Sequence, residues 1–588
     1  MAIARLVKVS FLAPASDRSA LLEELQRLGC FEPIHGDGHP WQAPAANAAD
    51  TQEALRFLAR APYQRQASAM TEDAQAALAE VRALRERTRE LEEARAALAR
   101  AVRDTAAWGE WDPAAAGALA DAGLRLWFYR LAPAQLAPLA ASDAVWLDLG
   151  GGGGMRHVVV LASEPPAELP APLPLPTGGM ASLRQRQREL ALAVDAAVQR
   201  RIELTAVAPV IAEHACRLED AATRQAADGT MRDHGGFVEL CGWAPQTAVA
   251  DLTDLAARRG IAAHFTPPAA NDEPPVLLRA SGMATLGRDL VRFYALPGYR
   301  DWDVSVAVLM GFALFFAMAL GDAGYAALLG LAVLLGWRRF RSPTARRLRG
   351  MLATLSAAAL VWGVLVGCYF GQIPAGDSLL SRLARLANGD PSAMMRLSLM
   401  VGAGHLVAAN LGAAGRHWPQ PAAFASLGWA VAIGTVSLAA FGALPWSFAL
   451  PGAAAGVAAV VFTAGAIAPG GPLRRVAAGL LPLTLTVTAL GDVLSYLRLF
   501  ALAYAGTALA TAVNELAQGS LGQSQGPGAL LGPLILLAGH GINLVLGVAG
   551  GVVHGLRLNF IEFFRWALQG EGRPFQPLCA SSRQWKTS

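Results

Sequence analysis

The stretch Ala489-Leu-Gly-Asp-Val-Leu-Ser-Tyr-Leu-Arg-Leu-Phe-Ala-Leu-Ala503 sets one guanidinium, that of Arg498, inside an otherwise apolar run. A charge at the centre of a membrane helix costs roughly 2.5 to 3.5 kcal/mol on insertion scales, so Arg498 is expected to face protein, water or a partner charge. Arginine does not deprotonate in proteins, and the cation is therefore fixed. A local pair with Asp492 is disfavoured, because six residues along a helix put the two side chains on different faces. Ser495, Leu502 and Ala505 fall near the face of Arg498, and their small or apolar groups suit a neighbouring helix that slides past.

This run lies in the seventh of eight apolar stretches, with cores near 304 to 320, 323 to 337, 351 to 370, 396 to 414, 423 to 444, 452 to 468, 478 to 517 and 529 to 566. The last two are long enough that, as helices at ~1.5 Å per residue, each would reach about 60 Å, twice a ~30 Å hydrocarbon core. They must tilt, kink or protrude. In the eighth, His540, Asn543, Gly547, Gly550, His554 and Arg557 recur every three or four residues and predict one polar, glycine-rich stripe that could line an aqueous half-channel. A single histidine in such a place is more often a satisfied core residue, so the stripe counts only together with Arg498.

Arg338, Arg339, Arg341, Arg346, Arg347 and Arg349 follow the second stretch, and Arg474 and Arg475 precede the seventh. The positive-inside rule puts both clusters in the cytoplasm. An even number of crossings then leaves both termini inside, in agreement with Arg565 and Arg573 in the tail and with the lack of a signal peptide at the N-terminus. Arg382 and Arg385, between Gln372 and Met395, are a mild counter-signal on the expected outer face.

Residues 1–300 read as soluble sequence. Leu6 to Leu12 alternates as a strand, Ser16 and Asp17 offer a helix cap, and Leu21, Leu22, Leu25 and Leu28 make a helical face that ends near Gly29. Ala77, Val81, Leu84, Leu91, Leu98 and Val102 recur at a spacing close to 3.5 and predict a coiled-coil arm over 67–106. Leu183, Leu190, Val194, Ala197, Leu204 and Ile211 predict a returning, antiparallel arm over 181–227. A distal lobe over 107–180 contains the strand-like His157 to Leu161, the glycine run Gly150 to Gly154 and a proline-rich stretch from Pro165 to Pro176. The glycines precede a strand rather than a helix N-terminus, so they are expected to form a turn and not a phosphate cradle. Gly236 to Trp243 reads as a strand and Val249 to Arg258 as a helix, returning the chain to the first lobe.

Composition narrows the function. Of 588 residues, 54% are hydrophobic and 16% charged, high and low respectively for a wholly soluble protein. The net charge of +4 rests almost wholly on arginine, since Lys8 and Lys586 are the only lysines. Neither completes a G-x-x-x-x-G-K-[ST] loop, and nucleic-acid binding is not indicated. Cys30, Cys216, Cys241, Cys368 and Cys579 stand too far apart for a zinc or redox pair. No catalytic residue, cofactor site or metal site is expected.

Asp492-Val-Leu-Ser-Tyr-Leu-Arg-Leu-Phe-Ala-Leu502 resembles the arginine helix of the V-type and A-type ATPase membrane stator subunit, subunit a or subunit I. His554-Gly-Leu-Arg-Leu-Asn-Phe-Ile-Glu-Phe-Phe564 and Gly570-Glu-Gly-Arg-Pro-Phe-Gln-Pro577 resemble the same family's last helix and its exit. Further matches are Gly321-Asp-Ala-Gly-Tyr325, Trp362-Gly-Val-Leu-Val-Gly-Cys-Tyr-Phe-Gly371, Phe237 to Pro245 and Leu296-Pro-Gly-Tyr-Arg-Asp-Trp-Asp303, so the likeness touches nearly the whole chain. It departs at Asn559, where many members have histidine, and at Ala326, which replaces a common glycine.

The resemblance implies an α-helical membrane protein of about eight transmembrane helices, the last two long and tilted, with a cytoplasmic α/β two-lobed domain bridged by an antiparallel coiled coil. Residues 301–588 would form the transmembrane, ion-translocating part. Two offset half-channels would lead H⁺ or Na⁺ to a carboxylate on a rotating ring of small membrane subunits, with Arg498 between them. Arg557 would support Arg498; His554, Glu562, Ser495 and Tyr496 are pathway candidates, and Asp492, His540 and Asn543 complete the set. Implied partners are the ring, the peripheral stalk, membrane lipid and, in an autoinhibited state, a central-stalk or ring-associated subunit. The subunit would be non-catalytic and lie in a plasma or inner membrane. The competing reading is a stand-alone secondary transporter, which should show internal repeats, and none is evident. A membrane-anchored scaffold would explain the arm but not Arg498.

Overall fold

The computed structural model describes residues 3–35, 41, 49–65, 73–106, 108–110, 112–140, 144–151, 154–173, 179–374, 378–386, 390–521 and 528–580. The chain forms two compact units, one over Pro44–Ala226 and the other made of Met1–Ala43 with Ala227–Cys579. The arm with its distal lobe makes up the first of these units, and the α/β lobe falls within the second.

In the first unit, helices Ala74–Ala106 and Met180–Leu204 run antiparallel. Their cross-pairs show the direction, because Arg200 reaches Glu80 at 2.8 Å near one end while Arg184 reaches Glu110 at 2.9 Å near the other. Buried Ala77, Val81 and Leu91 lie on one helix, and Leu183, Ala197 and Leu204 on the other, at the helical spacing expected of an apolar seam. The expected start of the first arm, 67–72, lies outside the described residues. The second arm is interrupted by a 3-10 turn, Thr205–Val207, before Ala208–Asp228.

The distal lobe is an antiparallel sheet in which Arg156–Ala162 lies between Arg125–Leu131 and Val145–Asp148. Gly150 and Gly154 take positive φ in the connection between two of these strands, a conformation open to glycine without strain. The ends of that connection are closed by the Leu149 and His157 amides and by an ion pair from Arg156 to Asp148. The glycine run is thus a hairpin turn at its described ends; residues 152 and 153, and 174–178 of the proline-rich stretch, lie outside the described residues.

In the second unit, strand Leu6–Pro14 pairs antiparallel with Phe237–Pro245 on one side and Ala262–Thr266 on the other. Helices Arg18–Leu28 and Val249–Arg259 supply Leu21, Leu22, Leu25, Leu252 and Leu255 to its core. Each helix ends on a left-handed glycine, Gly29 or Gly260, which closes the last turn. Asp17 makes no side-chain cap; the chain enters the first helix through a 3-10 turn, Ala15–Asp17.

Six helices among the described residues are long and apolar enough to cross a membrane, and the chain is membrane-embedded. Two shorter apolar helices, Ser305–Leu320 and Ala323–Leu335, precede them. At ~1.5 Å per residue the first of these reaches only about 24 Å, short of a ~30 Å core. It is apolar all round, and Val308, Phe312, Phe315, Phe316 and Leu320 are buried among the other helices. The entry to this bundle is clasped to its exit. Leu296–Pro297 pairs with Glu571–Gly572, Asp301 accepts from the Gln569 amide at 3.2 Å, and the Trp302 indole donates to the Ala567 carbonyl at 2.9 Å. Two of the motifs that carried the resemblance are therefore the two sides of one junction.

Candidate membrane site around Arg498

The seventh stretch is not one helix. It runs through Pro472–Leu480, a 3-10 turn at Leu481–Leu483, Thr484–Leu494, a turn at Ser495 and Tyr496, and then Leu497–Leu521. Pro482 has no N–H to continue the helical ladder. The Ser495 hydroxyl donates to the Gly491 carbonyl at 3.0 Å, a back-bond that bends helices. Arg498 is the second residue after this turn, and its Nη1 is buried with no hydrogen-bond partner.

The last long helix, Gly528–Arg557, passes directly into a π-helical segment, Leu558–Phe563, and then the short helix Phe564–Ala567. Half-exposed Arg557 immediately precedes this segment and buried Glu562 lies within it, with Nε and Oε1 3.9 Å apart. Glu562 Oε2 and His554 Nδ1 have no partner. The charges of Arg498 and Arg557 both act on His554 and Glu562, so these four expected site residues gather in one region.

Asp492 does something else. Its Oδ1 and Oδ2 accept from Arg565 Nη1 at 2.9 and 3.1 Å, and Oδ2 accepts from the Trp566 indole at 2.8 Å. A pathway role is not where its contacts point. Tyr496 is wholly buried, and its hydroxyl lies 2.8 Å from His405 Nδ1 on helix Pro391–His417. His405 stacks on Phe563 with ring centroids 4.4 Å apart. The Tyr496 ring fits because Gly402 has no side chain; a Cβ there would enter the ring. His405 was not among the expected site residues: one histidine in an apolar helix carries no local signal of its partner.

The polar stripe of the last helix divides in two. At one end the Asn543 amide donates to the Tyr325 hydroxyl at 3.0 Å and to the Gly506 carbonyl at 2.8 Å. Tyr325 lies 2.7 Å from His540 Nδ1, His540 Nε2 lies 3.1 Å from Asn514 Oδ1, and the Asn514 amide donates to the Phe370 carbonyl at 2.8 Å. In the middle, Gly547 and Gly550 face Leu320 and Leu502, so bare backbone meets leucine between the two polar ends. His554 and Arg557 form the other end. Tyr325 and Asn514 were missed because nothing near either in the sequence marks His540 as its partner. Among the described residues, no group of three His, Cys, Asp or Glu side chains could hold a metal ion.

No protein-family model matches the chain. Its curated relatives include the V-type ATP synthase subunit I of Chlamydia pneumoniae, 27% identical over 58% of this chain and 61% of that protein. They also include V-type ATP synthase subunit I 1 of Treponema pallidum (strain Nichols), 27% identical over 78% of each. A third is the A-type ATP synthase subunit I of Pyrococcus abyssi, 30% identical over 52% of this chain and 47% of that one. The chain thus matches about three fifths of the first relative's length and under half of the third's. It is similar to V-type and A-type ATP synthase subunit I, as the motifs around Arg498 led one to expect.

Proposed function

We propose that the chain is the stator subunit of a V/A-type rotary ATPase membrane motor, which passes H⁺ or Na⁺ between two half-channels and a rotating ring of small subunits. One observation carries the reading: a buried guanidinium nitrogen of Arg498 without a partner, beside Arg557, Glu562 and His554 in a membrane helix. Such a fixed cation favours the ionised form of a carboxylate that approaches it, lowers that group's pKa and promotes release of its ion. The same charge bars a direct leak between the channels. The separation of the His540 cluster from the Arg557 cluster by apolar packing supports two blind channels rather than one open pore.

Eight crossings with both termini cytoplasmic, in a plasma or inner membrane with lipid around them, complete the reading. The arm would bind the peripheral stalk and hold this subunit against torque, and ATP would be hydrolysed or made by other subunits. ATP-driven ion uptake in vesicles that carry the assembled complex tests it. Arg498→Ala is expected to abolish uptake with assembly unchanged; normal uptake would return Arg498 to a structural charge.

A further inference from the structure

We propose that Asp492 and Tyr496 are positioning residues that bracket the turn before Arg498 from two sides and set where its guanidinium stands. The inference rests on the reading of Arg498 given above. Asp492, 6% exposed, closes the end of helix Thr484–Leu494, and its hydrogen-bond donors, Arg565 and Trp566, come from the short helix after the π segment. That helix continues the stretch bearing Arg557 and Glu562, so the Asp492 bracket links the two arginines through one buried carboxylate. Tyr496, four residues on, is held to a different helix by His405, with the bare face of Gly402 admitting its ring.

Two attachments on different neighbours restrain both translation and rotation of a helix end, which one attachment cannot. The turn needs this restraint, because Ser495 spends its hydroxyl on a back-bond and the helix is interrupted there. A buried carboxylate accepting from a guanidinium and an indole is also a strong anchor, since charge-assisted bonds are roughly twice as strong as neutral ones. Arg498 itself gains no such hold: its Nη1 is unpartnered, and its place must be set by its neighbours along the chain.

The test compares assembled complexes in vesicles for ions moved per ATP hydrolysed and for passive ion leak down an imposed gradient. Asp492→Asn retains an acceptor for Trp566 but loses the ion pair; Arg565→Gln removes the same pair from its half-exposed side; Tyr496→Phe removes only the hydroxyl. Each is expected to lower ions moved per ATP and raise leak, the first two by up to about a hundredfold, the order that an ångström-scale misplacement can cost. Asp492→Glu, which keeps the charge, is expected to recover much of the coupling. Should Asp492→Asn not assemble, Arg565→Gln and Tyr496→Phe decide the matter alone. Wild-type coupling and leak in Arg565→Gln and Tyr496→Phe, beside a dead Arg498→Ala, would overturn the bracket and leave the motor reading standing. Normal pumping by Arg498→Ala would overturn both.

Discussion

Glu24 and Glu32 share one lobe and respond to pH with opposite signs. Glu32 is wholly buried, and burial pushes its pKa above the ordinary 4.5, with the ion pair to Arg573 offsetting part of the rise. The folded lobe therefore binds an extra proton above that value, and this contribution to stability falls as pH rises through the raised pKa. Glu24 is held below 4.5, chiefly by the hydrogen bond from Arg259 at 2.8 Å. Its contribution is present above 4.5 and is lost as pH falls through the lowered pKa. Arg573→Ala leaves the buried carboxylate unpaired and should destabilise the lobe by about 3–5 kcal/mol near neutral pH. That cost should shrink as the solution is acidified and Glu32 takes up its proton, which unfolding of the purified chain at two pH values would show. A constant cost would mean that Glu32 stays ionised throughout.

The π segment Leu558–Phe563 shows what an irregular element does. A π turn holds one more residue than the α turn it replaces, and such turns recur at functional sites. Here it rotates Arg565 and Trp566 onto Asp492 while Arg557 and Glu562 stay near one another. Deleting Leu558 should restore α-helical phase and turn those partners away by about 100°. ATP-driven uptake should then fail even where the complex assembles, whereas Leu558→Ala, which keeps the register, should lose far less. Nothing local marked this segment in the sequence, since one inserted residue in an apolar run leaves composition unchanged. The turn at Ser495 and Tyr496 was likewise unmarked, although the length of the seventh stretch required it to tilt, kink or protrude.

The unit that holds the membrane helices also closes around its own tail. After the last helix the chain returns to the α/β lobe, where Leu578 is wholly buried in the core and its amide donates to the Phe31 carbonyl at 2.7 Å. Phe575 packs with Leu6, Ile34 and Trp243, and the Gln576 amide donates to Glu32 at 2.6 Å. Ending the chain after Gly572 removes Arg573, Phe575 and Leu578 together. The lobe should then melt at a markedly lower temperature, while the helical arm over 74–106 and 180–204, which holds none of these contacts, should keep its helicity by circular dichroism. An unchanged lobe would show that the tail contributes no stability. The Arg200–Glu80 pair of the arm is exposed on both sides and should matter little, about 0–1 kcal/mol.

Short-range and periodic features were legible in the sequence alone: the apolar stretches, the seams of the arm, the two strand–helix units, the first with its end near Gly29, and the isolation of Arg498 in an apolar run. These follow from solvent, because burying apolar faces and backbone groups imposes periods of two or 3.6 residues on any chain. Partnership was decided only by the tertiary structure. Asp492 lies 73 residues from Arg565, Tyr496 lies 91 from His405, and Glu32 lies 541 from Arg573. A hydrogen bond or ion pair depends on where two atoms stand in space, and no pattern near either residue records where the other will be placed.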